Sequence, residues 1–361
     1  GDRAFSEGLE RLVSSLEEEA SLTELGEQIL DHRLKGLLAN RLRIQAEFAS
    51  HPEIARESIE GPLVIIGLPR TGTTALSQVL AADPAIRSLR LWESNDPVPP
   101  PDKATEKDDP RIAQCKVGLD AMYTTFPKMR SLYVQEPDGP TECQDLLGMA
   151  FRTAHFDGMA HVPSYTEWVL QCDMGSAYAM HRGTLQLLQW KCPPRLWHLK
   201  TPVHALSLQS LLSAYPDARF LWTHRDPAAV LGSVCSLIQY TRSWVSDRDD
   251  SLELGKQQVA LWNEAMRRAI EVRDSIGEER FADVHFHEFD ADPVSAVERA
   301  YEQIELPFGE SGRKRVERWA SAHRRGDHGV HTYELGDFGL DADRVRDSFA
   351  FYRRRFHVDD E

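Results

Sequence analysis

The chain has 361 residues, with 57 acidic against 42 basic side chains and a formal net charge of −15 with histidines neutral. That balance argues against a nucleic-acid surface, so a polyanionic ligand must be met by a few placed cations and backbone amides. Five scattered cysteines (Cys115, Cys143, Cys172, Cys192, Cys235) without a C-x-x-C pair read as reduced thiols. With no apolar run of membrane-spanning length and no leader-like start, they predict a cytoplasmic protein.

Residues 1–60 read as a helical N-terminal extension. Phe5, Leu9, Leu12, Val13 and Leu16 recur at helical spacing. Ser21 with Glu24 predicts a capping box ahead of a second helix carrying Leu25, Ile29 and Leu30. Leu34 to Phe48 continues that pattern up to His51-Pro52. These helices are expected to pack on the core or on a second copy of the chain, a route to a homo-oligomer.

The second unit, 61–361, opens on Leu63-Val64-Ile65-Ile66-Gly67, an apolar run of strand character. A turn with Pro69 and Gly72 follows, and a helix opens at about Thr73 with Leu76, Val79 and Leu80 inward. Strand, glycine turn and helix start make an anion cradle, because the first helical N–H groups lack partners and the helix dipole favours negative charge. Gly67 and Gly72 stand at P-loop spacing, but Thr73 stands where a nucleotide triphosphatase needs lysine. The cation has moved to Arg70, inside the turn.

Asp83-Pro84 ends this helix, and a short segment from Ile86 leads to Glu93 and a proline-rich loop at 96–101. Residues 111–190 are mainly helical in pattern and rich in aromatics, among them Tyr123, Phe126, Tyr133, Tyr165 and Tyr178. They serve either as core or as the wall of an apolar acceptor pocket. Strand–helix alternation then resumes. Arg195 to Leu199 runs into Lys200-Thr201-Pro202, with a helix expected from Val203 to Ala214. Arg219 to Thr223 runs into His224-Arg225-Asp226-Pro227, where Asp226 caps the next helix and Pro227 suits its first turn. A strand from Phe281 to Phe286 and a helix from Pro293 complete the order.

Alternation of this kind predicts an α/β fold, a P-loop-like parallel sheet flanked by helices with its ligands at the C-terminal strand ends. Arg70, Lys200 and Arg225 each follow such an end and point to a phosphate or sulfate site. Ser233, eight residues after Arg225, lies about two helical turns on, so a hydroxyl and an arginine fork can share a second anionic group.

Gly67-Leu-Pro-Arg-Thr-Gly-Thr-Thr74 resembles the 5′-phosphosulfate loop of sulfotransferases that use 3′-phosphoadenylyl sulfate (PAPS). His224-Arg-Asp-Pro227 through Ser233 is similar to their 3′-phosphate motif, and Trp197 to His204 to the lysine-bearing strand end between the two. His331 to Leu340 is typical of bacterial members. The likeness covers about 60–345, and the Pro-Arg-x-Gly-Thr-Thr form lies nearer the tyrosylprotein and bacterial branches than the cytosolic eukaryotic enzymes.

The resemblance implies transfer of a sulfuryl group from PAPS to a hydroxyl or amine of a small-molecule or lipid acceptor, releasing PAP, with no metal required. Arg70, Thr71, Gly72, Thr73 and Thr74 would hold the 5′ side of the donor, and Arg225 and Ser233 its 3′-phosphate. Arg70 and Lys200 would stabilise charge in the transition state. For the general base the first choice is Glu93, near the place of the tyrosylprotein branch's catalytic glutamate, with His204, His155 and Glu142 as alternatives. The rival readings are a P-loop small-molecule kinase and a non-catalytic nucleotide-binding protein.

Overall fold

The computed structural model describes residues 4–192, 195–322 and 333–361. At its centre are five parallel strands: β1 Leu63–Gly67, β2 Ile86–Ser88, β3 Leu196–Lys200, β4 Arg219–His224 and β5 Phe281–His285. Their spatial order is β2-β3-β1-β4-β5. β1 is therefore central. Its register pairs Leu63 with His198 on one side, and Leu63 through Gly67 with Arg219 through Thr223 on the other.

All five residues of β1 are buried, as expected of a parallel strand covered on both faces. Its side chains alternate between two cores with the period of the pleat. Val64 and Ile66 join Phe220, Trp222, Leu231 and Ala265 in the larger one. Leu63 and Ile65 join Leu76, Val79, Leu221 and Val297 in the smaller. Each such aliphatic side chain contributes about 1.5–3 kcal/mol on burial. A one-residue slip of β1 would exchange the two sets, so its register, and with it the position of Gly67, is strongly specified.

The N-terminal helices, α1 Ala4–Glu19 and α2 Glu24–Ser50, send Leu12, Leu30, Leu37 and Ile44 into the larger core. The cap of α2 differs from the one expected. Thr23, not Ser21, is the N-cap, accepting from Gly26 N at 3.0 Å. Ser21 adopts φ 50°, its carbonyl accepts from Ser246 Oγ, and Thr23 N donates to Val245 O; these tertiary contacts shift the cap by two residues. The helix expected from Val203 to Ala214 is two pieces, a 3-10 turn Pro202–Leu206 and a helix Leu208–Ala214, divided at Ser207 (φ −142°). No described helix is long and apolar enough to cross a membrane.

Candidate active site

α3, Thr73–Ala81, starts six residues beyond the end of β1, and the intervening turn is built around three positive φ angles: Gly67 (135°), Arg70 (63°) and Gly72 (83°). A Cβ on Gly67 would stand 2.5 Å from the carbonyl oxygen of Thr223, and one on Gly72 would stand 2.9 Å from the Phe286 ring. Only glycine fits at both places. Arg70 takes the left-handed region without that licence, a strain of the kind found at ligand-binding loops. The Thr71 hydroxyl turns inward, to Leu68 O at 2.7 Å and to Thr223 Oγ1 at 2.6 Å, and ties the turn to β4. Gly72 caps α3 with no side-chain bond, so the first-turn amides keep their attraction for an anion.

The predicted cations converge here. Arg70 Nε donates to Ser233 Oγ at 3.1 Å and its Nη1 to Leu132 O at 3.0 Å. Arg225 Nη1 donates to the Arg70 carbonyl at 3.0 Å, and its guanidinium lies 4.2 Å over the Phe286 ring. Ser233 stands on the helix Pro227–Arg242, whose N-cap Asp226 accepts from Ala228 N at 3.1 Å. Burial first, and then the neighbouring charge of Arg225, lower the Arg70 guanidinium from its ordinary value. Two guanidinium groups held this close favour an anion between them.

Lys200, at the end of β3, is 2 % exposed. Its ammonium donates to Glu142 Oε1 at 2.7 Å and reaches the Thr74 hydroxyl at 3.4 Å. Thr74 thus joins the lysine, and Thr73 is buried beside it at the helix start. Glu142 also accepts from Thr201 Oγ1 at 3.4 Å and from Gln144.

Glu93 is placed differently. It is fully buried in the short helix Leu91–Asn95, with Oε1 held by Arg87 at 2.9 Å and Arg90 at 2.5 Å and Oε2 held by Arg90 N at 3.2 Å. A carboxylate so enclosed has no face toward an acceptor. His204 is also fully buried, with Nδ1 2.9 Å from the Tyr178 hydroxyl, and burial takes its imidazole well below the ordinary value. His155 sits in the 3-10 turn Ala154–Gly158; burial, followed by the charge of Arg33, lowers it to about 4. His331 lies outside the described residues.

Three features of the site had no sequence signal strong enough to find them. The Leu132 carbonyl that orients Arg70 could be any residue's backbone. Glu361 holds the Arg225 fork, with Arg225 Nε at 3.0 Å from both of its carboxylate oxygens and Nη2 at 2.8 Å from one of them. Tyr333 lies against the Pro227–Arg242 helix, where its hydroxyl donates to Ala229 O at 2.7 Å and its ring packs on Gly232, next to Ser233. Only Tyr333 fell within a motif already singled out.

A family model described as the sulfotransferase family matches residues 62–310. Among solved structures, sulfotransferase STF1 of Mycobacterium tuberculosis H37Rv superposes with a TM-score of 0.87 at 30 % identity, over 97 % of this chain and 93 % of that one. STF9 of Mycobacterium avium superposes with a TM-score of 0.89 at 30 % identity, over 99 % and 93 %. A curated relative, the omega-hydroxy-beta-dihydromenaquinone-9 sulfotransferase Stf3 of Mycobacterium bovis, is 24 % identical over 138 residues, 38 % of this chain and 35 % of its own length. The match thus spans about a third of that relative. The turn after β1, the cations on the neighbouring strand ends and a family match over most of the sequence lead to one conclusion: the chain belongs to the sulfotransferase family.

Proposed function

We propose that the chain transfers the sulfuryl group of PAPS to a hydroxyl, or an amine, of a small-molecule or lipid acceptor and releases PAP. The observation that carries this reading is the joint between the two anion sites. Arg70 of the first loop bonds Ser233, and Arg225 of the second motif bonds the Arg70 carbonyl. One ligand with a 5′ and a 3′ anionic group suits that arrangement.

In this reading the amides at 70–74 and the Thr73 and Thr74 hydroxyls hold the 5′-phosphosulfate, and Arg225 and Ser233 hold the 3′-phosphate. Lys200 and Arg70 neutralise the charge that grows on the bridging and sulfuryl oxygens as the sulfur–oxygen bond to phosphate breaks. The acceptor oxygen forms the new bond to sulfur. Its proton goes to Glu142, whose side chain is 14 % exposed and sits against Lys200, whereas Glu93 is 0 % exposed and doubly paired with arginines. Reach to the acceptor decides between them, because a base must come within hydrogen-bond distance of the proton it takes.

The acceptor side is formed by residues 111–190. Leu119, Tyr123, Met129 and Leu132 cluster with Leu91, backed by Tyr133, Tyr240 and Trp244, and Leu132 is the residue whose carbonyl holds Arg70. An apolar wall beside the reacting centre suits a hydrophobic or aromatic alcohol, a class consistent with the omega-hydroxy-beta-dihydromenaquinone-9 in the name of Stf3. Residues 1–60 act as an extension of this catalytic unit, and Leu25 and Leu42, exposed on α2, support association between copies. All five cysteines are free thiols, which fits a reducing, cytoplasmic setting.

A P-loop kinase is the weaker reading. Thr73 replaces the phosphate-binding lysine, and both oxygens of Asp226 are engaged, one by Ala228 N and the other by Arg346 and Glu361 N. The deciding experiment is a thermal-shift comparison followed by transfer from labelled PAPS to a panel of hydroxylated lipids and phenols. PAP alone should raise the midpoint. A shift with ATP and magnesium but none with PAP would overturn the proposal.

A further inference from the structure

Behind the Lys200–Glu142 pair, three side chains from separate parts of the chain face one another. They are Cys143, beside Glu142; His181, on the helix Gly175–Gln189; and His204, on the 3-10 turn Pro202–Leu206 after β3. One ligand-type atom from each lies within 4.8 Å of the other two, and all three residues are buried. His204 Nδ1 stands 2.9 Å from the Tyr178 hydroxyl, and His181 Nδ1 stands 2.7 Å from the Tyr215 hydroxyl. Both Nε2 atoms are buried without a hydrogen-bond partner. A buried polar atom left unpaired costs about 1–3 kcal/mol, so two of them, with a thiol in the same cluster, need an explanation.

We propose that Cys143, His181 and His204 bind one thiophilic d10 cation, Zn(II) or Cu(I), which fastens the Glu142 segment to the strand end that carries Lys200. A thiolate and two imidazoles are the donor types both ions take. Coordination bonds of about 2.0–2.3 Å would draw the three ligand atoms to about 3.3–3.8 Å apart, a modest closing of the cluster. The two phenols supply the outer support such ligands usually have. Each can accept from an Nδ1–H, the tautomer that leaves the Nε2 lone pair free for the metal.

The charges balance as follows. Cys143 loses its thiol proton to solvent as the sulfur–metal bond forms. One thiolate neutralises Cu(I), and it leaves Zn(II) with a single positive charge, for which Glu142 is the neighbouring carboxylate. The site is one of position, not of chemistry, since all three of its ligands are fully buried. Its consequence is mechanical: Cys143 N already donates to Lys200 O at 2.8 Å, and the metal would lock that junction to a third element.

The test uses the full chain, chelator-stripped under reducing, oxygen-free conditions. It is titrated separately with Zn(II), with Cu(I) and with Co(II) as an optical probe. The expected results are uptake of one equivalent, a thiolate-to-cobalt charge-transfer band, and a thermal midpoint that rises with metal concentration. Retention against a competing chelator identifies which ion is preferred. Cys143→Ser should abolish the band, and His181→Gln should cost most of the uptake. Should either variant fail to fold, cysteine-resolved alkylation of the unaltered chain, run in urea below the unfolding midpoint so that buried Cys143 is reached by local opening, reads the same point. Metal should protect Cys143 selectively, leaving the reactivity of Cys115 and Cys172 unchanged. No uptake of any of the three ions, uptake that is unaltered in both variants, or equal protection of all cysteines overturns the proposal.

Discussion

The carboxylate of Glu361 closes on the guanidinium of Arg225, with Nε at 3.0 Å and Nη2 at 2.8 Å. Arg225 is the group proposed to hold the donor's 3′-phosphate, so a carboxylate stands where a phosphate would bind. In the proposed reading PAP displaces it. The contact is partly exposed, at 21 % for Arg225 and 35 % for Glu361, and such pairs contribute only about 0.2–1 kcal/mol. Glu361→Ala is therefore expected to tighten PAP binding by about 1.4- to fivefold, read by titration calorimetry at constant ionic strength. An unchanged or weaker affinity would mean that Glu361 orders the fork instead of competing for it.

Arg225→Ala and Ser233→Ala should act on donor binding more than on turnover. In the proposed reading both side chains serve a group that does not react, so their loss should raise the donor's KM while kcat changes little. Removing a charged donor should cost about 1.5–3 kcal/mol, and removing the hydroxyl nearer 1 kcal/mol, which puts the arginine change well above the serine change. Steady-state kinetics with PAPS varied at saturating acceptor checks the split. Equal donor affinity in both variants would remove the 3′-phosphate assignment.

Lys200→Ala should reverse that pattern. Charge on the bridging oxygen appears only as the bond breaks, so the variant should still bind PAP while kcat falls by roughly a hundredfold or more, the effect of losing about 2.7–4 kcal/mol of oxyanion stabilisation. Calorimetry and single-turnover transfer, performed on one preparation, separate the two effects.

How far the sequence could be read depends on the range of the interaction concerned. The strand–turn–helix at 63–81 is set by local rules, namely apolar residues, glycines at forced φ angles and a helix start, and it appears as expected. The positions of Arg225 after a strand end and of Ser233 on the following helix were legible, because strand end and helix phase fix both places. Glu93 was a different matter. Its spacing from the loop put it near the site, but Arg87 and Arg90 turn its carboxylate into a buried ion cluster beneath Trp92 and Trp197. No rule of spacing reveals which carboxylate meets an arginine and which meets Lys200. The Cys143, His181 and His204 cluster was invisible for the same reason: its members are far apart in the chain and lack any metal-ligand spacing.

Acid should destabilise the fold over a defined window. His198 is buried at β3, where desolvation, followed by the charge of Lys200, lowers it to about 3. His224 is buried at the end of β4 and lowered to about 4 by desolvation, against the opposing pull of Asp283, with His285 and Arg273 also near. Its Nε2 lies 2.8 Å from Asp283 Oδ1 and its Nδ1 3.0 Å from the Tyr352 hydroxyl, so both ring nitrogens are engaged. Both groups take up protons more readily unfolded, with an ordinary value near 6.5. Stability is then complete above about pH 6.5 and falls as pH drops toward the folded values, by about 1–2 kcal/mol for each ring between pH 7 and pH 5. Urea midpoints across that range check the slope. His224→Gln should flatten it, and a slope unaffected by that change would assign the acid loss to other groups.

The last expectation separates Glu142 from Glu93. Glu142→Gln keeps the size of the side chain and a hydrogen bond to Thr201 but removes the proton acceptor beside Lys200, so turnover should fall by about 10²–10⁴-fold with PAP affinity retained. Glu93→Gln should do the opposite. It leaves Arg87 buried without its counter-charge, although Arg90 keeps Glu106 and Asp138, a loss of about 3–5 kcal/mol in stability when one partner of such a buried pair is removed. The folded fraction should nonetheless turn over at nearly the normal rate, because Glu93 is fully buried and its carboxylate is taken up by Arg87 and Arg90. Denaturant melts alongside kcat per folded molecule distinguish the two. The opposite outcome, normal turnover in Glu142→Gln and a folded but inactive Glu93→Gln, would return the role of base to Glu93 and require the Arg87–Arg90 cluster to open when the acceptor binds.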